Sequence, residues 1–206
     1  MKYYIKAISY TQEFLLGLGI FILMALPLAV LYDIEAVTSQ SLALYDVVHI
    51  TLFFVMVIRP LADIWTSTQY VRPLVILRKG FGVVSASIVV AFLLAKIIAD
   101  PSGYIQNFFT TAYWSLENYA LFAHLADVTA ILLLVTSNRF SKRVLGAWWK
   151  RIQRLSYVYF YASALYVYLS FGENLILSFM AIVTIVTLVA YVKNTLKMEV
   201  IKATTV

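Results

Sequence analysis

The sequence predicts an all-α polytopic membrane protein: a single transmembrane domain over residues 1–206, six helices in one bundle, both termini cytoplasmic. Three observations predict it. Hydrophobic residues make up 63% of the chain and charged residues 13%, where a soluble domain carries roughly 25% charged residues. Six apolar runs approach the length needed to cross a hydrocarbon core about 30 Å thick. Of the sixteen Lys and Arg residues, all but Lys96 then lie in cytoplasmic segments or at cytoplasmic helix ends, the side on which basic short loops are retained. The expected location is the plasma membrane.

The first run, about 14–32, follows MKYYIKAISYTQEF. It is longer than the roughly 7–15 residues of a signal-peptide core, so it is expected to stay as an uncleaved first helix. Gly17 and Gly19 suit close approach of a neighbour, and Pro27 suits a kink. An acidic outer loop follows with Asp33, Glu35 and Asp46. The second helix is expected over about 44–64, with Arg59 and Pro60 at its cytoplasmic end. Arg72, Arg78 and Lys79 precede the third, about 80–99, which Asp100-Pro101-Ser102-Gly103 breaks. A partly helical outer loop leads to the fourth helix, about 116–135. The fifth and sixth, about 155–171 and 174–192, are joined by the tight hairpin Phe171-Gly172-Glu173-Asn174.

The net charge of +6 sits in short segments between apolar runs, which implies topology and contact with anionic lipid rather than nucleic acid. Between the fourth and fifth runs, Arg139, Lys142, Arg143, Lys150, Arg151 and Arg154 are interleaved with Phe140, Leu145, Trp148, Trp149 and Ile152. That pattern fits a short amphipathic helix in the interface, with rings at headgroup level and cations on phosphates.

At Thr136-Ser137, Leu145-Gly146, Trp149-Lys150-Arg151 and Arg154-Leu155-Ser156-Tyr157 the pattern resembles the ferric reductase-like transmembrane family, in particular its MsrQ-type haem-binding membrane subunits. The resemblance extends to Ile58-Arg59-Pro60-Leu61-Ala62 and Arg78-Lys79-Gly80-Phe81-Gly82, so it covers the second to fifth helices. It implies haem b held between helices by histidines. At the matching positions this chain has Phe92, Gln153 and Tyr166. Phenylalanine offers no lone pair, although tyrosine can ligate ferric haem. The expectation is a subunit without haem, acting as a structural or partner-binding part of a membrane complex with other protein subunits.

Two alternatives stay open. One is a b-type cytochrome passing electrons, its haem held by His49 and His124, or by Tyr166. The other is a small proton or ion pathway built on Lys96, His124 and Asp127, since intramembrane charges face the protein interior or water. His124 and Asp127 share a helix face at i, i+3. The absence of cysteine excludes thiolate metal sites and cysteine nucleophiles. No self-contained catalytic site is evident, and an electron-transfer subunit would need a partner chain. The tyrosines 157, 159, 161, 166 and 168 read as anchoring and packing residues.

Overall fold

The computed structural model describes residues 1–32, 41–66, 68–116 and 119–204. Asp33, Glu35 and Glu117 lie outside the described residues. Among the described residues the chain is helical throughout and has no strand. Its helices are α1 (Lys2–Tyr32), α2 (Ser41–Ile64), α3 (Val71–Leu74), α4 (Leu77–Ala99), α5 (Pro101–Phe108), α6 (Ala120–Val135), α7 (Arg139–Leu145), α8 (Ala147–Gln153), α9 (Leu155–Phe171) and α10 (Asn174–Thr204). A 3-10 turn, Thr111–Trp114, stands between α5 and α6.

Each of the six apolar runs is helical, but several ends differ from those expected. The first helix starts at Lys2 instead of Phe14, and the last runs on to Thr204 instead of ending near Val192. The end of an apolar run is not the end of a helix: KYYIKAISYTQEF holds no glycine or proline to stop one. The fourth helix starts at Ala120, not Leu116, because Tyr119 adopts a left-handed backbone (φ 59°). Helices α1, α2 (from Ala43), α4 together with the preceding α3, and α10 (to Lys197) are long and apolar enough to cross a membrane. Helix α6 reaches that length only together with α7, across a 95° bend.

The core is built around α2, α4, α6 and α9, with Leu52, Met56, Ile88, Ala130, Tyr159 and Phe160 buried at its centre. Helix α1 packs along α4, and α10 packs against α2 and α9. Small residues set the α1–α4 distance. A Cβ built on Gly19 would lie 2.7 Å from Val83 Cγ1, and one on Gly80 would lie 2.8 Å from Leu15 Cβ. Gly17, by contrast, faces open space. Helices α1 and α2 continue through Pro27 and Pro60. Pro60 has no N–H to offer Met56, and beside that carbonyl the Arg78 guanidinium donates to the Val55 carbonyl at 2.7 Å. Inside the bundle Ser85 and Tyr159, both nearly inaccessible, share a hydrogen bond of 3.0 Å.

The basic-aromatic segment forms two short helices rather than one. The break is Gly146, whose φ of 51° and ψ of −119° suit a residue without Cβ. Asn138 caps α7 by accepting from Ser141 N at 2.6 Å. Trp149 Nε1 donates to the Thr136 carbonyl at 2.9 Å and Gln153 Nε2 to Thr136 Oγ1 at 3.3 Å, tying α8 back to the end of α6.

Candidate functional site

Four helices meet around a cavity of about 90 Å³. Tyr45, Val48 and His49 come from α2; Val89, Phe92, Leu93 and Lys96 from α4; Ala123, Ala126 and Asp127 from α6; Ser163, Tyr166 and Val167 from α9. The cavity lies toward the end of the bundle that carries residues 100–116. Counted from that end at 1.5 Å per residue, His49 is about 12 Å in, Phe92 and Asp127 about 10 Å and Tyr166 about 8 Å. Asp127 is thus shallower than a helix beginning at Leu116 would place it.

Each helix offers the cavity residues one turn apart. Tyr45 and His49 are spaced i, i+4, as are Phe92 with Lys96 and Ala123 with Asp127, while Ser163 and Tyr166 are spaced i, i+3. His49 is 1% exposed. Its Nδ1 lies 2.7 Å from the Tyr45 carbonyl, and its Nε2 is buried without a hydrogen-bond partner. Ser163 Oγ donates to the Phe160 carbonyl at 3.1 Å. The Tyr45 ring stacks on Phe92 at 5.9 Å, with 14° between planes. Lys96 is exposed and stands at the rim, its charge acting on Asp127.

Of the residues expected from the sequence, the structure therefore gathers His49, Phe92, Lys96, Asp127 and Tyr166. His124 goes elsewhere. Its ring stacks on Tyr113 at 3.4 Å and meets Trp114 at 5.5 Å, beneath an aromatic group completed by Tyr104 and Phe108. Burial, and after it the neighbouring Tyr104, push the Tyr113 phenol above the ordinary phenol range, so it presents a neutral hydroxyl. Gln153 sits at the other end of the bundle on Thr136. Tyr45 and Ser163 enter the site without having stood out in the sequence; the one signal for Tyr45 was its i, i+4 spacing to His49.

Whether these residues fit haem b is decided by size and donor chemistry. A cavity of about 150 Å³ is filled by a single benzene ring, so one of about 90 Å³ does not fit a porphyrin. Phe92 has no donor atom, and the two imidazoles do not share the cavity. Among the described residues no group of three or more His, Asp or Glu is placed to hold a metal ion.

The second feature is the basic-aromatic belt at the opposite end. Phe140, Val144 and Trp148 are exposed, as are Arg139, Lys142, Arg143, Lys150, Arg151 and Arg154. Arg151 lies over the Trp148 ring at 4.5 Å and Lys142 over Trp149 at 5.2 Å. Because α7 turns 95° from α6, it runs across the bundle end rather than along it.

No protein-family model, curated protein or solved structure matches the chain.

Proposed function

We propose that the chain is a six-span plasma-membrane protein with cytoplasmic termini, a haem-less counterpart of ferric reductase-like membrane subunits whose working feature is a small cavity, part apolar and part polar, reached from outside. Helices α6 and α9, about 24 and 26 Å long at 1.5 Å per residue, complete the six spans, α6 packed against α4 and α9, and α9 against α6, α2 and α10. The distribution of basic residues supports the orientation. The belt of α7 and α8 then lies on the cytoplasmic leaflet, its rings at headgroup depth and its cations on lipid phosphates. Other protein subunits would complete the complex.

One observation carries this reading: Phe92 and Tyr166, where the resemblance places haem ligands, line a cavity of about 90 Å³ together with His49, Lys96 and Asp127. Polar and ionisable side chains at such depth line water or a guest rather than lipid. The ion-pathway alternative keeps Lys96 and Asp127, but with His49 in place of His124. The cysteine-free chain offers a direct test. A cysteine at Ala123, on the cavity wall, is expected to react with a small impermeant thiol reagent from outside, whereas one at the outward-facing Val128 is not. Equal labelling of both, or of neither, would refute a water-accessible cavity. A reduced-minus-oxidised spectrum of b haem in protein made with excess haem would refute the haem-less reading.

A further inference from the structure

The least satisfied group in the cavity wall is His49. A carbonyl oxygen only accepts, so the 2.7 Å contact to Tyr45 places the ring proton on Nδ1 and leaves the lone pair on Nε2. That lone pair is buried without a partner, an unfavourable state for a polar atom. Ser163, on α9, lines the same cavity. A neutral imidazole can donate to one side only. A second N–H would let the ring donate on both.

The titratable groups around it sit on α2 and on the other helices that line the cavity. On α2 itself Asp46 acts on the ring, with Tyr45 one turn away. Helix α4 brings Lys96, the neighbouring α6 brings Asp127 across the cavity, and α9 brings Tyr166. Helix α10 carries no charged side chain between Asn174 and Val192.

We infer that His49 is the proton-binding residue of this cavity: a hydronium ion in the cavity passes a proton to Nε2 and leaves as water, and the new Nε2–H donates to cavity water. Nδ1–H stays on the Tyr45 carbonyl, no other bond changes, and Asp46 and Asp127 balance the new charge while Lys96 opposes it. The inference rests on the cavity being open to water, as proposed above, and names the ligand and the residue that takes it.

The chain has two histidines, so nitrogen NMR of the ¹⁵N-imidazole-labelled protein in micelles gives two ring systems, assigned with His49→Gln and His124→Gln. Either variant alone suffices for the assignment if the other fails to fold. Near neutral pH the His49 ring is expected with its proton on Nδ1 and Nε2 bare. On acidification it should convert reversibly to imidazolium while circular dichroism still reports the folded bundle. The midpoint should move to lower pH in Asp127→Asn and to higher pH in Lys96→Gln. A proton on Nε2 at neutral pH would overturn the inference. So would a ring that stays neutral until the bundle unfolds, or a midpoint unmoved by both variants. If these fail while the Ala123 cysteine is labelled from outside, the cavity reading stands and only the proton site falls. If the cysteine is not labelled, the cavity reading itself has failed.

Discussion

The bond between Ser85 and Tyr159 joins α4 to α9, and its strength follows from where it lies. Both residues are at most 1% exposed and their oxygens are 3.0 Å apart, so neither can turn to water when the other is removed. Leaving a buried polar group unmatched costs about 1–3 kcal/mol. The two single substitutions should nevertheless differ. In Tyr159→Phe the remaining serine can turn its hydroxyl back to a carbonyl of its own helix, which reduces the expected loss to about 1 kcal/mol or less. In Ser85→Ala the phenol sits at the end of a rigid ring and has no second acceptor within its own helix, so the loss should lie toward about 2–3 kcal/mol. The double variant removes both polar groups and should lose less than the sum of the two, by roughly 0.6 kcal/mol and at most about 1.7 kcal/mol, as for polar pairs inside membrane bundles. Reversible unfolding in mixed micelles, followed by circular dichroism, measures all four corners of the cycle. Strict additivity, or a larger loss in Tyr159→Phe than in Ser85→Ala, would refute the reasoning.

Packing of α1 can be tested through its two glycines. Gly19→Ala should destabilise by about 1–3 kcal/mol, because the new methyl would meet a stiff, β-branched Val83, whereas Gly17→Ala should be neutral or stabilise by up to about 1 kcal/mol through helix propensity. Equal effects in the same unfolding assay would mean that α1 does not sit on α4 as described. Orientation is checked in the cysteine-free chain: Ser102→Cys should be labelled by an impermeant reagent from outside and Ser141→Cys only after permeabilisation. The reverse pattern would overturn the reading of the basic belt as cytoplasmic.

Much of the helix plan was legible because apolar runs and their breakers report it directly. The Asp100-Pro101 stop is a case in point: the aspartate accepts from Gly103 N at 2.9 Å and Pro101 occupies the first turn of α5. Helix ends were less legible, since lysine-bearing extensions such as Lys2–Glu13 continue a helix without continuing a hydrophobic run. The basic segment read as one amphipathic helix because its periodicity survives across Gly146, whose positive φ breaks the helix without breaking the pattern. The cavity was half legible. Lys96 and Asp127 stand out in any apolar helix, but bringing them together requires α4 beside α6, and adjacency of helices is not written in one sequence. His124 and Asp127 share a face by spacing, yet three residues on an α-helix leave about 60° between them. The outer aromatic segment takes the histidine while the cavity takes the carboxylate.

That division also shows what a helix as short as α6 needs in order to serve as one of the six proposed spans. Its 16 residues span about 24 Å, less than the roughly 30 Å of hydrocarbon, and its first turn follows a left-handed Tyr119 rather than further helix. Irregular backbone at such depth is tolerated only where protein covers it or water reaches it. Here protein covers it. The 3-10 turn Thr111–Trp114 packs against α6, Tyr113 lies on the His124 ring, and Trp114 Nε1 donates to the Phe108 carbonyl at 2.8 Å, folding the segment over the helix end. Lengthening α6 by four residues would place helix where this aromatic segment stands. The short helix, the removal of His124 from the cavity and the polar groups that remain in its wall are therefore one arrangement: the loop shields the end of α6, and Asp127 stands about 10 Å inside that end, lining the cavity with His49 and with Lys96 at the rim.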